Sequence, residues 1–435
     1  MGPTSVFVIV TVILAAIGSL LLLVRLRHWA LKIVSGALAL SLGVLLGLIA
    51  VNDNFGYYRN WSAVVDGVFG SASGTGADGG MVRVGRYLVR AGTLRSVVLA
   101  GPSSRITRRG LIYLPPQYTQ ANFAHTRFPV VELLHGSPGA PSDWTQVLDV
   151  VKTADLLIAR RVMGPMVLVM PATYSGRFSE CVNGRYGADE TYLAQDVPHD
   201  VRARYRVSTD PGQWGLAGYS SGGYCAANLA LRHRSWFGAA GVLDGYFQAD
   251  AGPAATALGH NPTLLTQNSP LTVVRSLRPG TAPMPAFWVG AGSDTGADYA
   301  SAKRFVAALS GLERISFASE RSAGHDFYAW SAELPTMLAW MWQQLAPPDM
   351  RTEFPVQGSP STVQVPPIPR RRQAIGRLSL TPSPSLSTLP SPSTPSRDLI
   401  TVTATATVTR TATPRQSSTH PTGPFRTPTP TPTHT

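Results

Sequence analysis

The 435-residue chain is poor in cysteine, in lysine and in charge. Its two cysteines, Cys181 and Cys225, leave room for one disulfide and exclude a cysteine-rich zinc module. Charged residues make up 14% of the chain and the mean hydropathy is +0.05, values that exclude both a wholly disordered protein and a polytopic membrane protein. Acidic residues are missing altogether from 1–51, where Arg25, Arg27 and Lys32 leave +3. They are nearly missing from 351–435, where nine arginines face Glu353 and Asp398. The stretch 52–350 is close to balanced, with 25 basic and 22 acidic residues. A nucleic-acid-binding domain concentrates basic residues on its folded part. Here the excess sits at the two ends, and no nucleic-acid partner is expected.

The ends also carry the long runs of biased composition. Ser5–Val24 and Ala30–Val51 are apolar but for Lys32, and each is about as long as the ~20 residues that cross a ~30 Å hydrocarbon core as a helix. Arg25 and Arg27 lie between them and Lys32 just inside the second, so the positive-inside rule places this turn in the cytoplasm. Everything after Val51 is then extracytoplasmic, on a protein anchored in the cell membrane. A cleaved signal would carry its charge before a shorter apolar stretch. Residues 52–94 contain G-S-A-S-G-T-G-A-D-G-G and read as a flexible spacer and lead-in. Residues 348–435, rich in Pro, Thr and Ser, have too little apolar surface to offset their ordering entropy and read as a disordered tail, T-V-T-A-T-A-T-V-T included.

Between these ends, 95–347 alternates short apolar runs with amphipathic ones. Ser96–Ala100, Gly110–Leu114, Val130–Leu134, Met166–Met170, Trp214–Ala217, Ala239–Leu243, Ala286–Val289 and Ile315–Ala318 read as strands. Trp144–Ile158, Val197–Arg204, Gly223–Arg232, Ala300–Leu309 and Ala332–Gln344 read as helices. Buried strands alternating with helices predict an α/β domain whose mainly parallel sheet is covered on both faces.

The sharpest chemical signal is G-Y-S-S-G-G at 218–223, between a predicted strand and a predicted helix. In a nucleophile elbow the serine sits in a strained turn, and small residues two before and two after let neighbouring backbone approach. Ser220 meets that demand with Gly218 and Gly222; Ser221 would need a small residue where Tyr219 stands. In this fold the order is Ser, acid, His. His325, between a predicted strand and the last helix, is the candidate base. Beyond Ala286–Val289, the loop G-A-G-S-D-T-G-A-D offers Asp294 and Asp298. Asp294 lies nearer the strand end and is the expected acid, with Asp298 the alternative or a helix cap. Backbone amides of Ser137, in the loop H-G-S-P-G, and of Ser221 are the expected donors to an oxyanion. His135 precedes the nucleophile and reads as a loop-shaping residue. No metal or organic cofactor is implied.

The ordered stretches R-G-L-I-Y-L-P-P-Q-Y, L-L-H-G-S-P-G-A-P-S-D-W, E-T-Y-L-A-Q-D-V, G-Y-S-S-G-G-Y and G-H-D-F-Y-A-W resemble the esterase family of α/β-hydrolases. That family includes esterase D-like enzymes and the mycolyltransferases of the antigen 85 complex. The resemblance covers roughly 95–346 and implies the α/β-hydrolase fold, with a serine esterase or acyltransferase triad mapping onto Ser220, Asp294 and His325. The layout of membrane helices followed by such a domain also resembles actinobacterial members. Mycolyltransferases carry an Asp and an Arg in the oxyanion loop, where this chain has His135 and S-P-G-A, and a Trp where this chain has Phe327. They also take their acid, a Glu, further along the loop, which keeps Asp298 open as the alternative to Asp294. The expected substrate is an ester or acyl lipid. Acyl transfer to a cell-envelope sugar, and a catalytically silent envelope-binding homologue, are the alternatives.

Overall fold

The computed structural model describes residues 2–58, 61, 64–65, 80–174, 176–249, 252–278, 283–310, 315–320, 324–357 and 402–404. Both apolar runs are helices, α1 (Val6–Arg25) and α2 (Trp29–Phe55), packed as a hairpin. Where they meet, the Ser35 hydroxyl donates to the Ser19 carbonyl at 2.6 Å. Large apolar side chains such as Phe7, Leu14, Leu40 and Leu48 remain exposed around the pair. Both helices are long and apolar enough to cross a membrane. The glycine-rich spacer falls almost wholly outside the described residues.

The first hairpin pairs β1 (Met81–Val84) with β2 (Tyr87–Arg90). The main sheet follows: β3 (Thr93–Gly101), β4 (Ile106–Leu114), β5 (Val130–Leu134), β6 (Val167–Pro171), β7 (Trp214–Tyr219), β8 (Ala239–Leu243), β9 (Ala286–Gly292), β10 (Ile315–Glu320) and β11 (Val402–Ala404). Their order in space is β11-β10-β9-β8-β7-β5-β6-β4-β3. The six strands β5 to β10 run parallel to one another, whereas β3, β4 and β11 are antiparallel to their neighbours. Every residue of β5, β6, β7, β8 and β9 is buried, as strands covered on both faces must be.

The covering helices are α3 (Val150–Ala159), α4 (Val197–Arg204), α5 (Ser221–Arg232), α6 (Ala297–Leu309) and α7 (Phe327–Leu345). Of these, α3 and α7 pack together, while α5 and α6 are joined through the short helix Pro270–Ser276. The expected single helix Trp144–Ile158 is two, Asp143–Gln146 and Val150–Ala159, because Asp149 between them takes a left-handed conformation, φ 52°.

Two strands depart from the sequence reading. β9 continues to Gly292, three residues past its expected end, because Gly290 and Ala291 fit the closely packed sheet as well as the larger apolar residues before them. Val402–Ala404, expected to be unstructured, pairs antiparallel with β10. An edge strand is held by main-chain hydrogen bonds, so the alternating Thr/Val/Ala run meets the requirement without a second hydrophobic face.

The register sets the place of the chemistry. Leu134 lies beside Gly218, and Leu243 beside both Tyr219 and Gly290, so β5, β7, β8 and β9 end at one level. Ligands bind outside the carboxyl ends of the strands in open α/β sheets. His135, Ser220, Asp244, Asp298 and His325 all leave the sheet there.

Candidate active site

Ser220 occupies the turn between β7 and α5 with φ 55° and ψ −125°, a backbone conformation costly for any residue with a Cβ. Its neighbours show why the turn tolerates nothing larger. A Cβ on Gly218 would lie 2.0 Å from the Gly222 carbonyl oxygen, and one on Gly222 would lie 2.1 Å from that of Leu134. The Ser220 amide is anchored to the Leu243 carbonyl at 2.8 Å. The side chain is therefore held up off the sheet, half-buried, facing the loop that leads into α7.

His325 meets it there. Its Nε2 lies 2.8 Å from Ser220 Oγ. On the far side of the ring, Nδ1 lies 3.3 Å from Asp298 Oδ2, an ion-pair distance short of full hydrogen-bond geometry, with no other partner among the described residues. Burial opposes a charge on the ring, but Asp298, with Asp244 and Asp326 further off, outweighs it and raises the His325 pKa above 6.5. Asp326 accepts the Ala329 amide at 2.9 Å as the N-cap of α7, which fixes His325 immediately before the helix. The Trp330 ring stands edge-on to the imidazole, centroids 5.2 Å apart, and stacks on Tyr219 at 4.7 Å.

The loop after β5 closes over the nucleophile. A Cβ on Gly136 would come within 3.2 Å of the Ser220 Cβ, which puts the Gly136–Ser137 segment beside the reacting hydroxyl. Ser221 is the first residue of α5, where a backbone N–H has no acceptor within the helix. His135 is buried and shapes the loop. Its Nε2 accepts the Thr173 amide at 3.0 Å, so the proton belongs on Nδ1, which faces the Gly136 carbonyl at 2.8 Å. Burial pushes its pKa down to about 4, keeping the ring neutral. Asp143 ties the loop's other end, accepting from the Tyr219 hydroxyl at 2.8 Å and the Ala140 amide at 2.9 Å.

Comparison with known proteins agrees with this layout. Residues 104–341 match the family described as Putative esterase, more than half of the chain. The chain belongs to this family. An uncharacterised protein of Corynebacterium glutamicum is 27% identical over 273 residues, 58% of this chain and 62% of the relative, so the chain spans less than two thirds of that relative's length. Among solved structures, a ferulic acid esterase superposes with a TM-score of 0.50 at 22% identity, over 59% of this chain and 99% of that one, and shares the fold. An S-formylglutathione hydrolase from Agrobacterium tumefaciens gives 0.49 at 16% identity, over 59% and 96%. The matched residues take in Ser220, Asp298 and His325.

The structure brings Asp298, rather than the expected Asp294, beside His325. Asp294 lies in the turn just past the end of β9, exposed, within 3.1 Å of the Ser293 hydroxyl. Because the strand runs on to Gly292, five residues past Val289 no longer reach the imidazole. Gly296, in the left-handed region at φ 59°, turns the chain back, and Asp298 in the first turn of α6 faces His325. A second acid at the site went unnoticed in the sequence. Asp244, directly after β8, is fully buried, accepting the Gly292 amide at 2.7 Å and the Trp330 indole N–H at 2.8 Å. Burial raises its pKa to about 6. It positions both the acid loop and the ring beside His325. The signal was present: an Asp-Gly pair follows the strand adjacent to the nucleophile's own.

One wall of the site is stapled covalently. Cys181 and Cys225 form a disulfide between the loop after β6 and the nucleophile helix. Arg108 holds the same loop, donating to the Thr173 carbonyl at 3.1 Å and pairing with Asp189 at 2.5 Å. Among the described residues, no group of three His, Cys, Asp or Glu side chains converges as metal ligands would.

Proposed function

We propose that the protein is a membrane-anchored serine esterase with its catalytic domain on the extracytoplasmic side, acting through Ser220, His325 and Asp298. His325 Nε2 takes the hydroxyl proton as Ser220 Oγ bonds to the ester carbonyl carbon, and the Asp298 carboxylate orients the ring and stabilises its charged form. The tetrahedral oxyanion is held by the amides of Ser137 and Ser221. Its collapse breaks the bond to the alkoxy group, which leaves as the alcohol with the proton from His325. Water, deprotonated by the same ring, then attacks the acyl-enzyme and releases the carboxylic acid.

The observation that carries this reading is the 2.8 Å contact between a serine in a strained elbow and an imidazole nitrogen. Apolar helices with Arg25, Arg27 and Lys32 at and beside the turn that joins them support the anchoring and its orientation. A fluorophosphonate probe tests the chemistry: the native protein should be labelled on Ser220 and turn over p-nitrophenyl esters. A folded Ser220→Ala variant that still hydrolysed them at the native rate would refute the mechanism.

A further inference from the structure

The turn that ends α2 is built with more care than a tether needs. Gly56 closes the helix in the left-handed conformation, φ 76°, its amide on the Asn52 carbonyl at 2.8 Å. The Asn52 side chain, only 8% exposed, then locks the residues that follow. Its Nδ2 donates to the Tyr58 carbonyl at 2.9 Å and its Oδ1 accepts the Tyr58 amide at 2.6 Å, so one carboxamide pairs with both backbone groups of one residue.

This locked turn rests on the rim of the active site. A Cβ on Gly56 would lie 2.6 Å from the Tyr328 ring, in the first turn of α7. Tyr57 packs on Phe327 with ring centroids 5.0 Å apart, and Phe327 is two residues from His325. The end of the anchor therefore packs against the start of α7, at one side of the mouth.

The depth follows from helix geometry. The apolar run ends at Val51, five residues before Gly56, or about 7.5 Å along the axis at ~1.5 Å per residue. Polar headgroup layers add roughly 5–7 Å on each side of the hydrocarbon core. The carbonyl carbons of glycerol esters lie at the inner edge of that layer, next to the hydrocarbon, about 7.5 Å below Gly56. We propose that the docked turn holds the mouth of the site in the outer headgroup layer, and that the enzyme takes an acyl lipid ester directly from the membrane. This inference rests on the esterase reading and on insertion of α1 and α2, and it names the substrate class that those two leave open. The acyl chain stays partly in the bilayer while its carbonyl reaches Ser220, and the released fatty acid returns to the same leaflet.

The test uses the full-length chain reconstituted in vesicles of phosphatidylethanolamine and phosphatidylglycerol, with two substrates. One is a fluorogenic long-chain diacylglycerol ester in the bilayer, the other water-soluble p-nitrophenyl acetate. Asn52→Leu removes both side-chain bonds to Tyr58 far from the reacting atoms; Gly56→Ala puts a Cβ into the Tyr328 ring. Fluorophosphonate labelling of Ser220 verifies that each variant is folded. Because the variants move the mouth relative to the bilayer and leave the reacting groups in place, turnover of the membrane ester should drop about tenfold or more while that of p-nitrophenyl acetate stays within about twofold. Equal loss on both substrates, or loss on neither, would overturn the proposal. A native enzyme that cleaves p-nitrophenyl acetate and ignores the membrane ester overturns it too, while leaving the esterase reading intact. A native enzyme that cleaves neither and takes no label removes both.

Discussion

At the residue scale, the candidate chemistry depends on two distances and one carboxylate. Replacing Ser220 by Ala should lower ester turnover by several orders of magnitude, measured as kcat on a p-nitrophenyl ester, since the members of a triad act as a unit. Asp298→Asn leaves the geometry but withdraws the charge that holds the imidazole in its tautomer, a change worth up to about 10⁴ in kcat in a serine protease. Asp294→Asn, on an exposed residue of the turn, should turn over at close to the native rate. The pH profile separates the roles further. His325 acts as base only when neutral, and its pKa is raised above 6.5 by Asp298, with Asp244 and Asp326 adding to it against burial. The acid limb of kcat/KM should therefore lie above 6.5, activity rising as pH passes through it. In Asp298→Asn that limb should move to lower pH, because the neutral amide no longer favours the protonated ring. A limb that stayed where it was would mean that another group carries the titration.

At the element scale, the site is a junction of strand ends braced by side chains from four loops. Gly218 and Gly222 let α5 start directly against β5 and β7, and neither accepts even a methyl group. The loop after β6 is braced by Arg108, by His135 through Thr173, and by the disulfide to Cys225 in the second turn of α5. Closing a loop across 44 residues restricts the unfolded chain by roughly 4 kcal/mol in the chain-entropy account. Urea unfolding of the 80–357 region within the full-length chain should shift to lower midpoint in dithiothreitol. Cys225→Ser should show the same shift with no further effect of reductant. If the reduced and oxidised proteins unfolded together, the bridge would contribute nothing and the loop would be held by its polar contacts alone.

At the scale of the whole molecule, two apolar helices with positive charge at and beside their turn support the orientation proposed above. With Arg25, Arg27 and Lys32 in the cytoplasm, the N-terminus and the catalytic domain would both lie outside. Protease added to intact cells should remove the domain and leave a membrane-bound fragment, and lysis should change nothing. Protection in intact cells, with digestion only after lysis, would reverse the topology and put the disulfide in a reducing compartment where it is not expected to persist.

Much of this was legible in the linear chain, because the patterns concerned are local. A strand covered on both faces must be apolar throughout, so Val130–Leu134 and Ala239–Leu243 show their ends without reference to a partner. An elbow must have small residues at fixed offsets, so Gly218 and Gly222 mark Ser220, and the fold's chain order then marks His325. The acid was a different kind of question. Asp294 and Asp298 stand four residues apart in one loop, and choosing between them needs the last residue of β9 and the turn at Gly296, both settled by packing against β8 and β10. The Asp-Gly pair after β8 hints at Asp244, but its place at the site is set only when Trp330 and Gly292 are brought to it from 86 and 48 positions away. The docking of Gly56 and Tyr57 on α7 joins residues at opposite ends of the catalytic domain's sequence, and no periodicity or motif encodes it. What depends on neighbours in the chain could be read from the sequence; what depends on neighbours in space was decided by the tertiary structure, since only folding sets which of several chemically equal groups reaches the imidazole.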